Sequence, residues 1–321
     1  MGIRIGSLNM CNFNFRSEGC NKKNFIRIAN IISSEQFDIV ALQEVLSEQA
    51  LNVLLKALGS NWDKAWMKPN KSSSYASKGF AFIWNKKKIH PVTTKKSYGV
   101  RVFEPEIINQ YRLNRSVGQQ ELARNPYYAR FTTDGLPGGA FFEIRLINVH
   151  IMFKKGVTVV SDLNDSRMRN NEYNVLMEAI YPKISDRCYG NFMPAYTVIL
   201  GDYNMNLKRD WTVGQGRSSV YIDNEVIFIS DGNETKQIKT VQDELTTLKD
   251  PQNQENETDN NPLRGYANNY DHFSYDVIRF SNANVSYRRV DAVRKYFNDN
   301  FEEYRREVSD HIPIAIDIEL R

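Results

Sequence analysis

The sequence has little that could staple it together or anchor it in a bilayer. Three cysteines, Cys11, Cys20 and Cys188, are spread over 321 residues with no CxxC spacing. That excludes a disulfide-built scaffold and a cysteine zinc site, and reduced thiols are expected. No apolar run reaches the roughly 18–20 residues that span a membrane. The start, MGIRIGSLNMCNF, lacks the basic region and long apolar stretch of a secretory leader, so a cytoplasmic location is the expectation. Neither sign of charge dominates: 42 Lys and Arg face 38 Asp and Glu, so the bulk composition names no polyanionic partner. Apolar content of 41% and charged content of 25% exclude wholesale disorder. There is no internal repeat and no Pro- or Gly-rich hinge. One domain over residues 1–321 is the expectation, and a monomer.

What is present reads as many strands with a few helices. Residues 3–9 alternate like a half-buried strand. Residues 21–35 place Phe25, Ile28, Ala29, Ile31 and Ile32 at helical spacing. The run DIVAL at 38–42 is a buried strand, and Ser47 caps a helix over 48–58 that stops at Gly59. Residues 79–85 and 88–94 are expected to pair through the lysine-rich turn between them. Residues 99–125 read as a long loop. Strands follow at 127–133 and 140–150, joined by a turn containing Asp134, Gly135, Pro137, Gly138 and Gly139. A helix over 165–180 is expected to end at Pro182, and 196–200 is a strand. Residues 205–265 read as irregular, with a mobile centre at 249–262. Strand 270–280, helix 291–304 and strand 312–320 complete the chain. This mixture suits sheets packed on each other and flanked by helices.

Groups able to bind metal or move protons recur at the ends of these strands. Asn9 closes the first and Glu44 follows the second. His150 ends NVH, and Asp202 and Asn204 follow in GDYN. Asp271 opens the late strand, and Asp310 and His311 precede the last. Successive strand ends can converge on one rim of a sheet. Asn, Asp and Glu oxygens suit a hard divalent ion such as Mg2+. Histidines move protons near neutral pH. Arginines fork onto phosphate oxygens. Together they suit hydrolysis of a phosphate ester. Between Trp84 and Phe131, ten basic residues face three acidic ones, with Tyr98, Tyr111, Tyr127 and Tyr128 interleaved. Basic residues among aromatics suit a nucleic-acid backbone, so this segment is a candidate phosphate-binding face.

The blocks SLN (7–9), QE (43–44), RNPYYARF (124–131), NVH (148–150), GDYN (201–204), YDHF (270–273) and SDHIPI (309–314) occur in an order that closely resembles the endonuclease/exonuclease/phosphatase superfamily, the group of deoxyribonuclease I. The resemblance implies an α+β fold: a four-layer α/β/β/α sandwich of two mostly antiparallel sheets. It implies Glu44 as principal metal ligand, with Asn9 and Asp310 close to the ion. Mg2+ is the expected ion, with Mn2+ or Ca2+ as alternatives. Asp202 would orient or deprotonate water, and Asn204 would hold a phosphate oxygen. His311 would contact the phosphate, with Asp271 fixing its ring. His150 would assist the leaving group, and Arg124 would clamp a backbone phosphate. Two departures stand out. Lys78 occupies the place of the acid that pairs with the first histidine in deoxyribonuclease-like members, and Asn125 replaces the acid after Arg124. A DNA endonuclease is the expected activity. The alternatives are a hydrolase of a small phosphorylated molecule or lipid headgroup, and an inactive binding module keeping the fold.

Overall fold

The computed structural model describes residues 2–15, 22–68, 78–96, 99–109, 122–133, 142–153, 159–189, 193–207, 220–222, 225–231, 234–249 and 265–321. In chain order the first elements are β1 (Gly2–Phe13), α1 (Phe25–Ser34), β2 (Ile39–Val45), α2 (Glu48–Leu58), β3 (Trp62–Met67), β4 (Phe80–Asn85) and β5 (Ile89–Pro91). Four short or middle strands follow: β6 (Thr94–Lys95), β7 (Arg101–Val102), β8 (Glu106–Ile107) and β9 (Tyr127–Thr133). Then come β10 (Glu143–His150), α3 (Val159–Asn174), a π-helical turn (Val175–Ile180), α4 (Tyr181–Ser185), β11 (Ala195–Asp202), β12 (Asn206–Leu207) and β13 (Tyr221–Ile222). The last part holds β14 (Val226–Asp231), β15 (Glu234–Val241), β16 (Asp271–Asp276), β17 (Ala283–Arg289), α5 (Ala292–Phe297), α6 (Phe301–Glu307) and β18 (Ile314–Leu320).

Two sheets carry the structure. One runs β17-β18-β1-β2-β4-β3 and the other β14-β15-β16-β11-β10-β9-β5. Each contains one parallel pair, β1 with β2 and β10 with β11, among antiparallel neighbours. Three buried apolar clusters define four layers. The first joins α1, α2, α5 and α6 to one sheet, through residues such as Ile28, Leu51, Val293 and Tyr304. The second lies between the sheets, where Ile5, Phe82, Phe131 and Leu146 meet. The third packs the π-helical turn and α4 on the other sheet through Met177, Ile180 and Tyr181. The expected α/β/β/α sandwich is therefore present. Among the described residues no helix is long and apolar enough to cross a membrane.

Local chemistry sets most boundaries. Asn24 caps α1 by accepting from Arg27 N, so the helix starts later than residue 21. Ser47 caps α2 and Gly59, at φ 96°, ends it. Other expectations are corrected. Residues 79–85 and 88–94 do not pair: β4 lies between β2 and β3, whereas β5 crosses to the other sheet and pairs with β9. Pro182 does not end its helix. It sits in the first turn of α4, where a missing N–H costs little, after the π-helical turn has reset the hydrogen-bond ladder. The expected helix over 291–304 is two helices. Asn298 and Asp299 adopt positive φ, and Asn300 caps the second. Residues 205–265 are not irregular throughout, because β14 and β15 form a hairpin at the sheet edge. The expected loop 99–125 contains β7 and β8. The turn at 134–139 and all but the first residue of the 249–262 segment lie outside the described residues.

The sheets are clasped by polar groups as well as by oil. Gln43 Nε2 donates to Asn148 Oδ1 at 2.8 Å and to Ser7 Oγ at 3.1 Å. Asn148 Nδ2 in turn donates to the carbonyls of Leu42 and Ala81, 3.0 and 3.2 Å away. All three side chains are fully buried. Asn148 therefore ties β10 to β2 and β4 across the sandwich. An Asn148→Leu variant removes three buried hydrogen bonds and leaves one Gln43 donor without its acceptor, so a loss of about 3 kcal/mol is expected. Chemical denaturation checks this; a loss under about 0.5 kcal/mol, the range of ordinary surface changes, contradicts the clasp.

Candidate active site

Strand topology brings the motif residues to one rim. Because β10 and β11 are parallel and in register, His150 lies beside Asp202. Because β16 runs antiparallel to β11, Asp271 also lies beside Asp202. The β1–β2 pair puts Asn9 beside Gln43, one residue from Glu44. Backbone strain concentrates here: Cys11, Asn12, Glu44 and Asn204 all have φ between 46° and 60°. For non-glycine residues this region costs roughly 1–2 kcal/mol each, a sign that packing holds the rim in a set geometry. Gly201 explains the first letter of GDYN. A Cβ there would lie 2.0 Å from the Val149 carbonyl oxygen, so no other residue lets β11 approach β10 this closely.

Asp202 is the hub. Its Oδ2 accepts from Asn9 Nδ2 at 2.9 Å and lies 3.4 Å from His150 Nε2 and 3.7 Å from His311 Nε2. Its Oδ1 accepts from Asn204 N at 2.9 Å. Burial pushes this carboxyl up to about 7, against the opposing pull of the His311 charge. The two imidazoles are driven apart. In His150, burial and the nearby charges of Arg124, His311 and Lys78 favour the neutral ring. In His311, burial works against the charge but is outweighed by Asp271 and Asp202, which raise it to about 10. His311 Nδ1 donates to Asp271 Oδ2 at 2.8 Å, which fixes the ring.

The remaining expected residues border this group. Glu44 Oε1 lies 3.9 Å from His150 Nε2. Asp310 lies 3.8 Å from Arg305, and its carboxyl is lowered: burial would raise it, but His311, Arg305 and the Cys11 thiol prevail. Cys11 sits near both Asp310 and Glu44; its thiol is pushed up to about 12, chiefly by burial. Arg124 donates to the His150 carbonyl at 3.5 Å, and its charge lies near Glu44, Asp202 and Glu172. Asn204 Nδ2 donates to the Ile151 carbonyl at 2.8 Å, and its second N–H remains for another acceptor. A surface cleft of about 670 Å3 beside α1, lined by Lys22, Phe25 and Arg306 among others, contains none of these groups. Chemistry, not concavity, marks the rim.

Two supporting residues escaped the sequence reading. Arg169, fully buried, donates to the Asn204 carbonyl at 2.6 Å and pairs with Asp165 at 2.5 Å. Glu172, buried on the same helix, accepts from Ala123 N and Met152 N and so positions the segment that carries Arg124. The spacing 165, 169 and 172 marks one helical face, which was the available signal. Lys78, which the sequence marked as a departure, places its Nζ 2.6 Å from Glu44 Oε2, and His150 Nδ1 is buried without a hydrogen-bond partner among the described residues. No acid among the described residues pairs with that nitrogen.

The basic segment 84–131 is less of a face than its composition suggests. Lys88 pairs with Asp38, Lys96 with Glu104, and Arg130 with the buried Glu143. Tyr127 and Tyr128 are core residues rather than stacking platforms, because β9 is buried on both faces. Tyr98, Tyr111, Arg112 and Arg115 lie outside the described residues.

The donor chemistry of Glu44, Asn9 and Asp310 is all oxygen, which fits a hard divalent ion. Among the described residues one group, Asp202, Asp271 and His311, has donor atoms within 4.8 Å of one another. It fits a cation poorly, because His311 spends Nδ1 on Asp271 and carries a proton.

The fold is that of the endonuclease/exonuclease/phosphatase superfamily, as the order of motifs implies. A solved endonuclease/exonuclease/phosphatase from Bacteroides vulgatus is similar over 100% of both chains, at 15% identity and TM-score 0.55. A humanized D. rerio TDP2 carrying 14 mutations is similar over 99% of both chains, at 13% identity and TM-score 0.50. A functionally unknown conserved protein from Enterococcus faecalis V583 matches over 99% of this chain and 100% of its own, at 13% identity and TM-score 0.51. No protein-family model and no curated protein matches the chain.

The His311 assignment has a pH signature. A folded value near 10 against an ordinary 6.5 means that the stability from its proton is in full below about 6.5 and is lost as pH rises toward 10. His311 is therefore expected to stay protonated at pH 8 in an NMR titration. Asp271→Asn should bring its midpoint down by more than one pH unit. A wild-type midpoint near 6.5 contradicts the pairing.

Proposed function

We propose that this protein is a Mg2+-dependent phosphoric ester hydrolase that cleaves phosphodiester bonds, with a DNA backbone as the leading substrate. The observation that carries the reading is Asp202, a buried carboxylate held between a neutral and a charged imidazole on a carboxylate-lined rim. Environments that push neighbouring titratable groups apart are how acid and base roles are divided. Glu44, Asn9 and Asp310 would hold the ion. Bound there, a divalent ion polarises a phosphoryl oxygen and offsets developing charge.

The chain's own groups do the rest. Asp202, raised toward neutrality, is basic enough to take a proton from water and sits against Asn9 and Asn204, which keep it aimed. His311 offers Nε2–H to a phosphate oxygen, and its partner Asp271 holds both ring and charge. Asn204 supplies its second amide N–H, and Arg124 grips a phosphate from the side. His150, neutral and buried, serves as a hydrogen-bond donor near the leaving oxygen rather than as a strong acid.

Arg124 and the exposed Lys86, Lys87 and Arg101 support a polyanionic substrate. A second reading, a small phosphorylated molecule, is favoured by the internal pairing of Lys88, Lys96 and Arg130. Plasmid nicking is expected with Mg2+ and not with chelator. Asp202→Ala and His311→Ala should each slow it roughly 1,000-fold while the circular dichroism spectrum stays unchanged. Near-normal rates in either folded variant contradict its role. Cleavage of small esters with plasmid left intact selects the second reading, and inactivity on every ester selects a binding module.

A further inference from the structure

Lys78 inverts the charge at a place where the resemblance puts an acid. It enters the rim just ahead of β4 and donates to Glu44 Oε2 at 2.6 Å and to Asn12 Oδ1. Asn12 N gives the same Glu44 oxygen a second donor at 2.8 Å. The side chains of Lys78 and Glu44 are only 15% and 13% exposed, so water screens the pair weakly. One oxygen of Glu44 is thus taken by the protein's own ammonium and a backbone amide. The other, Oε1, is turned toward His150.

We propose that Lys78 is a tethered cation that sets the affinity of the rim for divalent ions. It is a positioning residue: it acts through Glu44. The ammonium pins the carboxylate so that a metal meets Oε1 alone, and it lowers the negative charge that the metal meets. This rests on the reading of Glu44 as the principal metal ligand. A divalent ion held by Oε1 would share one carboxylate with the ammonium on Oε2. Two like charges on one carboxylate, in a weakly screened site, repel by about the equivalent of a tenfold change in affinity or more. The rim therefore binds its ion weakly when empty of substrate, and an arriving phosphate, bringing negative charge of its own, completes the ligand set. Metal and substrate occupancy are coupled as a result.

Mn2+ alone, titrated by calorimetry and by the loss of its free electron paramagnetic resonance signal, reads this without turnover. The chain of residues 1–321 is compared with Lys78→Met, Lys78→Gln, Lys78→Arg and Glu44→Gln, each checked for an unchanged thermal melt. Lys78→Met and Lys78→Gln should bind Mn2+ at least tenfold more tightly than the native chain. Lys78→Arg should stay within about threefold of native, since it keeps the charge. Detectable binding only in the two neutral variants also supports the proposal. Equal or weaker binding in both neutral variants, with Glu44→Gln weaker still, overturns the role of Lys78 and leaves Glu44 as a ligand. Binding in which Glu44→Gln matches native removes Glu44 from the metal shell, and the proposal falls with it.

Discussion

Apolar side chains fill the space between the two sheets, and buried amides add directional contacts to that packing. The hydrogen bonds that link Ser7, Gln43 and Asn148 with the carbonyls of Leu42 and Ala81 fix how the two halves of the sandwich meet. Everything on the rim depends on that register. Glu44 follows Gln43 directly, His150 lies two residues beyond Asn148, and Asn9 two beyond Ser7. A shift of one residue would turn each of these side chains to the opposite face. The letters that surround the reactive residues in SLN, QE and NVH therefore have a mechanical job. They hold the carboxylate of one sheet against the imidazole of the other.

On that frame the electrostatics follow from burial and proximity. Asp202 and His311 lie under 4 Å apart, yet neither simply neutralises the other. Asp271 takes the imidazolium on its far nitrogen, which leaves Asp202 to be governed by burial. His150, buried, with cations nearby and no acid on Nδ1 among the described residues, stays neutral. Two histidines on one rim thus have different protonation states because their second nitrogens have different neighbours. Arg169 and Glu172, on one inward face of α3, brace the backbone of Asn204 and of the segment leading to Arg124.

Much of this was legible in the letters. The strands whose apolar runs are fully buried, such as 39–42 and 196–200, are where the pattern puts them. So is α2, whose Ser47 cap and terminal Gly59 stand in the sequence. The hairpin over 226–241 was hidden because β14 is the sheet edge, with Phe228 facing solvent, and because the inward stripe of β15 (Lys236, Ile238, Thr240) holds a single apolar residue. The false pairing of 79–85 with 88–94 came from a good turn at Lys86–Lys88, which here passes the chain between sheets. Local chemistry cannot distinguish those outcomes. The same limit applied at the rim. Strand-end residues announced themselves, but the contact between Lys78 and Glu44, 34 positions apart, exists only in three dimensions.

The central claim is that one divalent ion binds against Glu44 beside the Asp202 hub. Anomalous diffraction from a Mn2+-loaded crystal tests it most directly. A single peak against the Glu44 carboxylate, with Asp202, Asp271 and His311 still joined by hydrogen bonds, is the predicted result. A peak seated among Asp202, Asp271 and His311 instead, or none anywhere on the rim at saturating Mn2+, would contradict it.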